Sequence, residues 1–501
     1  MKSIGIDYGT TTSWIAINNK EKTEVESMMS ACNILHETNR VVYGVEAYNS
    51  RHNGQFVRSP KSYISRLDWD GFLYKYRFGL NAIVEEFSEK LITRGLKEFD
   101  DLVDEEVHVT VTIPNCYDGS QMRYIYDCFR KILSEKFANF KLYLLPEPIA
   151  AALFYLCQEN KVMNMNCEHV LVCDMGGGTT DIALIRFERK QDRVVFEVMA
   201  TVSDASLGGD ALDDVLYSNV LSSIGIDERR LRDPYEMMHK VVEAKRILST
   251  RKYYDIEVET NVGNGLSRQT MCAEQIKKCF DWDSDVCNLG KRFRDCMLKI
   301  KDKVPRNFDW KRVILLPVGG SMKIPALRTL LKDFFSGQLY EMRRADQGTS
   351  YDSVVLGAMY YSAIRSESYP RLNRVDVVGR TRFPVSIETI NGRLTSIVSA
   401  NMPDDEYTCD KLRPLEIDEN GNFSIEQLRF YYSDAPSVRE SKGAPFVIEV
   451  GEKFKANGRA AEDIVIEVTL KIKDSMPKTV RLRMENVCDN GDDYVNEFDL
   501  E

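Results

Sequence analysis

Apolar residues recur in short runs at two places in the chain, and a turn rich in glycine and threonine interrupts each run. The first copy covers residues 4–17 and the second covers 170–185. In each copy an aspartate, Asp7 or Asp174, ends the first apolar run, and the two aspartates stand 167 positions apart. The pattern predicts two strand–turn–strand units, in which glycine allows the tight turn.

Strand and helix periodicities alternate through the rest of residues 1–365. Apolar and polar residues alternate over 107–113, which is typical of a half-buried strand, and Pro114 ends the run. Helical spacing of apolar residues and helix-start signals predict helices at 82–99, 120–136, 147–157, 325–335 and 352–364, and helices that begin near Leu212 and after Asp233.

The periodicity changes to that of strands after residue 375. Residues 366–375 are predicted to be a linker and 376–487 an antiparallel β-sandwich. Within it, Asn391-Gly392 predicts a hairpin with a type I′ turn, and residues 464–472 alternate strictly between apolar and polar. The acidic stretch 488–501 is predicted to be a frayed tail.

Composition narrows the class of protein. The 501-residue chain has a net charge of −10, which argues against nucleic acid as its main partner. No apolar run approaches the roughly 20 residues of a membrane span, and the first residues do not read as a signal peptide, so we expect a cytoplasmic protein that binds no membrane. The 12 cysteines include no CxxC pair and the 5 histidines are scattered, which favours buried free thiols over a metal cluster.

The paired turns suggest a phosphate-binding site. Backbone amides of residues 9–11 and 176–179 can point at phosphate oxygens, while Asp7 and Asp174 can hold Mg²⁺ directly or through its waters. Phosphoryl transfer depends mostly on positioning and charge stabilisation, so two facing turns would suit a polyphosphate. One copy alone would be weak support. The alternative is a duplicated hairpin that needs glycine only for its backbone conformation.

These motifs are similar to those of a known family. In order along residues 1–365, they resemble the heat shock protein 70 (DnaK-type) chaperones of the actin-like ATPase superfamily. The matching segments besides the two turns are 109–121, 146–152, 207–210, 244–249 and 318–325. The resemblance implies an α/β actin-like ATPase fold, with two lobes and a duplicated mixed sheet with helices, followed by a C-terminal antiparallel β-sandwich.

The resemblance also implies catalytic and metal-binding roles. Asp7, Glu147 and Asp174 would order Mg²⁺ and its waters. Thr179 would lie near the γ-phosphate of ATP, and Asp181 would accept a hydrogen bond from the attacking water or its carrier. For Glu147 the alternative is an acid that only stabilises the beginning of a helix.

Lys61 is the candidate for the lysine that the family uses in catalysis, where it would offset charge on the transferred group. The alternative is a solvated surface lysine, and Lys245 and Arg246 have the same alternative on a helix face. The residues implied to bind ATP or ADP are Gly9, Thr10, Thr11, Thr12, Gly176, Gly177, Gly178, Gly208, Gly209, Lys245, Arg246, Ser249, Gly319, Gly320, Ser321 and Lys323.

The chain also departs from the family pattern. Val242 stands where the family has a glutamate, Lys323 stands at its adenine-stacking arginine, and Tyr351 replaces an aspartate. An ammonium group does not stack as a planar guanidinium does, so adenosine affinity or base selectivity should differ. The stretch 66–81 is shorter than in the family, the linker lacks its leucines, and no segment matches its helical lid or acidic tail.

The main hypothesis is a chaperone-like ATPase that binds and slowly hydrolyses MgATP. Its β domain would bind unfolded or extended peptide clients by β-augmentation, and nucleotide would change peptide affinity through a coupling of about 1–3 kcal/mol. A co-chaperone and a nucleotide-exchange factor are further partners that the resemblance suggests. Two alternatives stay open, an actin-like filament or scaffold protein, and a sugar or acetate kinase with Asp181 as its base.

Overall fold

The protein is described here by a computed structural model. It describes residues 2–18, 23–38, 40–65, 79–98, 106–115, 117–158, 169–190, 193–261, 265–283, 287–335, 341–342, 352–367, 375–378, 384–399, 402, 405–441, 445–473 and 476–500. Tyr351, most of the shortened stretch 66–81 and most of the predicted linker lie outside these ranges. Two compact units are present, one of residues 1–116 and 125–375 and the other of 117–124 and 376–501.

The strands of the first unit form two larger sheets and two small ones. Their bounds are β1 (Lys2–Asp7), β2 (Thr12–Asn18), β3 (Thr23–Met29), β4 (Cys32–Leu35), β5 (Val41–Tyr43), β6 (Gly54–Val57), β7 (Val107–Ile113), β8 (Phe140–Pro146), β9 (His169–Met175), β10 (Thr180–Lys190), β11 (Arg193–Asp204), β12 (Tyr253–Glu259), β13 (Leu266–Cys272), β14 (Val313–Val318) and β15 (Glu341–Met342). Strand β16 (Val375–Val378) begins at the last residue of this unit.

Helices connect and cover these strands. Their bounds are α1 (Gly44–Asn49), α2 (Lys61–Ser65), α3 (Leu80–Gly95), α4 (Gly119–Lys136), α5 (Glu147–Gln158), α6 (Gly209–Ile224), α7 (Pro234–Leu248), α8 (Ala273–Cys279), α9 (Leu289–Asp302), α10 (Pro325–Phe334) and α11 (Ser353–Arg365). No helix within the described ranges is long and apolar enough to cross a membrane.

The two larger sheets share one topology. The first has the strand order β8-β7-β1-β2-β3, and the second has the equivalent order β15-β14-β9-β10-β11, followed by β16. Strand β1 pairs antiparallel with β2 and parallel with β7, just as β9 pairs antiparallel with β10 and parallel with β14. The two predicted strand–turn–strand units are therefore equivalent hairpins at the centres of two mixed sheets, which confirms the predicted duplication.

Helix α11 packs closely on β1 and fixes the strand that leads to the first turn. A Cβ atom added at Gly5 would overlap the backbone of Val355, so only glycine allows this approach. The Ser362 hydroxyl donates to the Ile4 carbonyl oxygen at 2.8 Å and lies 2.6 Å from the Thr110 hydroxyl. Buried polar groups are thus paired at the centre of this interface.

Local signals located the helix boundaries well. The predicted helix 147–157 is Glu147–Gln158 in the structure, and 325–335 is Pro325–Phe334. Gly225 ends α6 in the left-handed conformation, with φ of 68°. The Asp233 carboxylate accepts hydrogen bonds from the amides of Tyr235 and Glu236 and so caps α7, as its sequence predicts.

The second unit contains two four-stranded antiparallel sheets, with the strand orders β18-β17-β20-β21 and β19-β22-β23-β24. The bounds are β17 (Val385–Glu388), β18 (Leu394–Val398), β19 (Glu406–Leu412), β20 (Asn422–Tyr431), β21 (Phe446–Lys455), β22 (Ile466–Lys473), β23 (Met476–Met484) and β24 (Tyr494–Asp499). Asn391 and Gly392, at φ of 61° and 69°, form the predicted hairpin turn. Packing of the two sheets as a sandwich stays a prediction.

The acidic end of the chain differs from the expectation of a frayed tail. Strand β24 pairs antiparallel with β23 along its whole length. The guanidinium group of Arg481 lies 3.4 Å from Glu497, and that of Arg483 lies 3.5 Å from Asp493. The basic side chains of β23 thus offset the acidic charge, so the prediction of fraying was wrong for residues 494–499.

Candidate nucleotide site

Each glycine-rich turn is held by its own hydrogen bonds. In the first turn, the Gly9 amide donates to the Asp7 carbonyl oxygen at 3.1 Å, and the Ser30 hydroxyl donates to the Gly9 carbonyl oxygen at 2.7 Å. In the second turn, the Gly176 amide donates to the Thr179 carbonyl oxygen at 3.0 Å. Hydrogen bonds within the protein therefore fix the backbone conformation of both turns.

The two turns meet face to face. A Cβ atom added at Gly177 would overlap the Thr11 hydroxyl oxygen, and one added at Gly178 would lie 2.9 Å from Cγ2 of Thr10. A methyl group at either position would have to displace a threonine side chain of the opposite turn, so the two turns are in close contact. The geometry expected from the duplicated pattern, in which the turns face each other, is present.

A cavity of about 210 Å³ opens at these turns. Most of the residues singled out from the sequence line it. They are Asp7, Gly9, Thr10, Thr11, Thr12, Lys61, Glu147, Asp174, Gly176, Gly177, Thr179, Gly209, Lys245, Arg246, Ser249, Gly319, Gly320 and Ser321. The cavity therefore brings together groups from both sheets and from helices α2, α5 and α7.

Lys61 lies inside the cavity wall, where it meets the candidate metal ligands. It begins α2, and its ammonium group lies 3.1 Å from Oε1 of Glu147, the first residue of α5. The same ammonium group lies 5.8 Å from the centre of the Tyr8 ring. Its burial argues against the alternative of a solvated surface lysine.

The cavity wall concentrates negative charge around this lysine. Burial, and then the neighbouring Glu147 carboxylate, raise the pKa of Asp7 to about 7. Lys61 and a 3.0 Å hydrogen bond from the Thr112 hydroxyl act in the opposite direction. For Asp174, burial followed by repulsion from nearby carboxylates raises the pKa well above its usual value.

The chemistry of these groups fits Mg²⁺ bound through water. Carboxylate oxygens are the ligands that Mg²⁺ prefers, and it keeps several waters when it binds. Among the described residues, no three histidine, cysteine, aspartate or glutamate side chains lie close enough to hold an ion directly. Asp7, Glu147 and Asp174 would therefore hold the ion through its waters, and a divalent cation would relieve the repulsion that raises the pKa of Asp7 and Asp174.

Asp181 lies behind the cavity wall and does not line it. Its Oδ1 accepts a hydrogen bond from the Asn115 amide at 3.0 Å and one from the Ser203 hydroxyl at 2.6 Å. Burial, and then repulsion by Glu147, raise its pKa to about 6, although the hydrogen bond from the Ser203 hydroxyl acts in the opposite direction. Asp181 follows Thr179 by two positions, and Thr179 does line the cavity.

Helix α7 and the loops around it form the side of the cavity that was assigned to adenosine. The Lys245 ammonium donates to the Gly209 carbonyl oxygen at 3.0 Å and lies 2.8 Å from Oδ1 of the buried Asp213. The Ser321 hydroxyl donates to the Gly176 carbonyl oxygen at 2.8 Å. These contacts connect the adenosine side to the second turn.

Three residues predicted to bind nucleotide, Gly178, Gly208 and Lys323, are not among the lining residues. A Cβ atom at Gly208 would overlap the Gly177 carbonyl group, so Gly208 supports the second turn from beneath. Lys323 ends the short 3₁₀ helix Gly320–Lys323 and is not among the lining residues, whereas Val242 is. The residue in the family's glutamate position therefore contributes an apolar surface.

Sequence reasoning missed several lining residues, namely Trp14, Arg58, Asp210, Asp213, Val318, Ile324, Ser353 and Val354. Asp210 belongs to the 207–210 motif, which could have identified it. Arg58 stands three positions before Lys61 in a segment without a clear pattern. Nothing in the sequence shows that Arg58 meets α6.

A second group of contacts joins the segment before Arg58 to the start of α7. The Arg51 guanidinium lies 3.1 Å from Asp233 and 2.9 Å from Glu236, and its central carbon lies 4.3 Å from the centre of the Tyr48 ring. The Tyr48 hydroxyl donates to Glu236 at 3.1 Å. These contacts bridge the small β5-β4-β6 sheet and α7.

Two equivalent sheets whose central turns face each other in one cavity are the architecture of actin-like ATPases. The family model described as Hsp70 protein matches residues 82–404. The chain therefore belongs to the Hsp70 family.

The chain is also similar, at low sequence identity, to curated proteins with chaperone and heat shock cognate names. A chaperone protein HscA homolog of Herminiimonas arsenicoxydans is 26% identical over 360 residues, which cover 66% of this chain and 54% of the relative. Heat shock cognate 70 kDa protein 3 of Dictyostelium discoideum is 24% identical over 424 residues, which cover 78% of this chain and 61% of the relative. A chaperone protein HscA homolog of Cupriavidus metallidurans is 26% identical over 427 residues, which cover 80% of this chain and 64% of the relative. The chain thus spans less than two thirds of the length of each of these relatives.

Proposed function

We propose that this Hsp70-family chain binds MgATP in the cavity between the two turns and hydrolyses it slowly. The observation that carries the proposal is that both turns, the Lys61–Glu147 pair, Asp7 and Asp174 line one cavity. In this assignment, the turn amides bind the phosphates and α7 lies against the adenosine. The family's ATPase activity supports the assignment, although the relatives are distant.

Hydrolysis would depend on positioning and on charge stabilisation. Lys61 would stabilise charge on the transferred phosphoryl group, because it is the cation closest to Glu147 and Asp7. Asp181 would accept a proton or hydrogen bond by way of Thr179. When bound, Mg²⁺ would neutralise phosphate charge, and Asp7, Glu147 and Asp174 would hold it through water.

The antiparallel sheets of the second unit would bind extended peptide clients. Strands β18 and β21 are the outer strands of one sheet and β19 and β24 those of the other, and an extended peptide that adds to such an edge is the basis of β-augmentation. ATP and ADP would then change peptide affinity. The descriptions of the relatives as chaperone and heat shock cognate proteins support this function, with a cytoplasmic location, a co-chaperone and an exchange factor as parts of the same proposal.

Single-turnover hydrolysis and calorimetry test the nucleotide part. We expect the wild type to bind MgATP and Thr179→Val to slow hydrolysis by at least about tenfold, because the variant keeps the shape and loses the hydroxyl. The matched control is Thr329→Val on the exposed face of α10, which should hydrolyse ATP like the wild type. Absence of ATP binding, or equal rates in all three proteins, would refute the assignment.

Peptide affinity tests the coupling. A fluorescent unfolded peptide is titrated into the full chain with MgATP, with MgADP and without nucleotide. We expect affinities with ATP and ADP to differ by about fivefold or more. Equal affinities would remove the coupling, and absence of peptide binding would remove the chaperone part while the ATPase part could still stand.

A further inference from the structure

Arg58 lies in the cavity wall although no sequence motif marks it. It directly follows β6, it precedes Lys61 by three positions, and it lines the same cavity as the two turns. Its side chain is 36% exposed, so the guanidinium group can reach a ligand in the cavity.

Two aspartates of α6 hold the guanidinium group. The Nη2 atom of Arg58 lies 2.9 Å from Oδ1 of Asp210 and 2.9 Å from Oδ2 of Asp213. Asp213 is 1% exposed and also pairs with Lys245 at 2.8 Å. Arg58 is thus fixed next to the lysine on the adenosine side of the cavity.

The same contacts place Arg58 near the second turn. The Asp210 amide donates to the Gly177 carbonyl oxygen at 2.7 Å, and Oδ1 of Asp210 would lie 3.5 Å from a Cβ atom at Gly177. That oxygen is the one that Arg58 contacts. The guanidinium group therefore shares Asp213 with Lys245, and its other partner, Asp210, is bonded to the second turn, which would bind phosphates in the proposed function.

The charge of the cavity leaves a role for this arginine. The acidic lining residues are Asp7, Glu147, Asp174, Asp210 and Asp213, and the basic ones are Arg58, Lys61, Lys245 and Arg246. Lys61 is engaged with Glu147 at the metal side. A guanidinium group has five N–H donors in a planar fork, so it can keep one carboxylate partner and bind a phosphate at the same time.

We propose that Arg58 binds the β-phosphate of the nucleotide, opposite the second turn, and that Asp213 holds it in position. The inference rests on the proposed nucleotide binding and adds a phosphate-binding residue to it. In this arrangement, the bound phosphate replaces Asp210 as a partner of the guanidinium group, and the Asp213 contact is kept.

Affinities for MgADP and AMP test the proposal, because only ADP has a β-phosphate. We expect Arg58→Ala to weaken MgADP binding by roughly tenfold, as for loss of a charged hydrogen bond, and to leave AMP binding nearly unchanged. Arg58→Lys should recover part of the loss, since a lysine supplies the charge without the fork. Arg51→Ala is the matched control, because it removes an arginine from the same segment outside the cavity and should leave the ratio of the two affinities unchanged.

A second variant distinguishes a direct contact between Arg58 and the phosphate from simple neutralisation of the Asp210 charge by Arg58. Arg58→Ala combined with Asp210→Asn removes the uncompensated carboxylate, and we expect MgADP affinity to stay low. Recovery of the wild-type affinity would show that Arg58 only neutralises Asp210 and would overturn the proposal. An unchanged ADP-to-AMP ratio in Arg58→Ala would also overturn it. A wild type that binds no adenine nucleotide would instead refute the proposed function on which the inference rests.

Discussion

Lys61 and Glu147 form a buried ion pair in which the ammonium group lies 3.1 Å from the carboxylate and only 3% and 12% of the two side chains are exposed. Breaking one half of a buried pair is costly, because the remaining charge has neither water nor partner. A catalytic role for Lys61 and a structural role therefore predict different results once both members of the pair are removed.

We expect Lys61→Ala to lower the free energy of unfolding of the ligand-free protein by on the order of 3–5 kcal/mol. The double variant Lys61→Ala with Glu147→Gln should regain most of that stability, since the Glu147 charge that Lys61 had compensated is removed with it. Single-turnover hydrolysis should stay slower by at least about a hundredfold in both variants. The surface control Lys131→Ala removes a lysine that is 60% exposed and pairs with Glu85, and it should change neither property. Hydrolysis that returned with stability in the double variant would show that Lys61 serves only as a counter-ion.

Asp7 should be a residue at which activity and stability conflict. Its carboxylate is partly buried near Glu147, and its pKa is raised, so we expect Asp7→Asn to raise the free energy of unfolding in EDTA at pH 7 by on the order of 1–3 kcal/mol. The stabilisation that MgADP gives to the wild type should shrink in this variant. Chemical unfolding with and without MgADP measures both effects, with Asp333→Asn on the exposed surface of α10 as the control. A destabilised ligand-free Asp7→Asn protein would contradict the repulsion inferred for this site.

The difference in the free energy of unfolding between Asp7→Asn and the wild type should increase with pH. The pKa of Asp7 is about 7 in the folded protein, above its ordinary value of 3.8, so the folded state holds this proton more tightly than the unfolded state. Stability from this group is therefore lost as pH rises from about 4 to 7. In EDTA, the advantage of Asp7→Asn over the wild type should be small near pH 4 and largest near pH 7. An advantage that is constant with pH would mean that the raised pKa of Asp7, caused by burial and then by Glu147, is not its origin.

Much of the site could be predicted because its elements carry strong local signals. The turns at residues 9–12 and 176–179 are marked by glycine and hydroxyl residues between apolar runs, and the start of α5 at Glu147 by the change to helical spacing. Equal patterns fold into equal hairpins, so the duplication of the sheet followed from the sequence. The resemblance then supplied the residues that lie far from the turns.

What the sequence could not show depends on contacts between distant residues. Arg58 meets Asp213, 155 positions later, and no local pattern reports that contact. The position of Asp181 behind the wall depends on the register of β9 and β10, in which it pairs with Asp174. The β12–β13 hairpin was missed for another reason, because its exposed faces carry the polar pattern that loops also have.

Gly177 tests whether the turns must touch. A methyl group there would overlap the Thr11 hydroxyl, so Gly177→Ala should push the turns apart and weaken MgATP binding by about tenfold or more. Gly79→Ala is the matched control, because an added Cβ atom there meets nothing within 4 Å. Calorimetric titration of both variants makes the comparison. Equal affinities would show that the spacing of the turns does not control phosphate binding.

Arg51 should control how long nucleotide stays bound. It joins the small β5-β4-β6 sheet to α7 through Asp233 and Glu236, at 3.1 and 2.9 Å, without lining the cavity. Removing these partly buried ion pairs should favour an open cleft by about 1 kcal/mol, which corresponds to ADP release that is roughly fivefold faster. Stopped-flow displacement of a fluorescent ADP measures the rate in wild type and in Arg51→Ala. The control is Arg229→Ala, which removes an exposed arginine paired with Asp227 and should leave the rate unchanged. Because the cleft encloses every nucleotide alike, AMP release should accelerate by the same factor, and an effect limited to ADP would instead indicate direct contact with the phosphates.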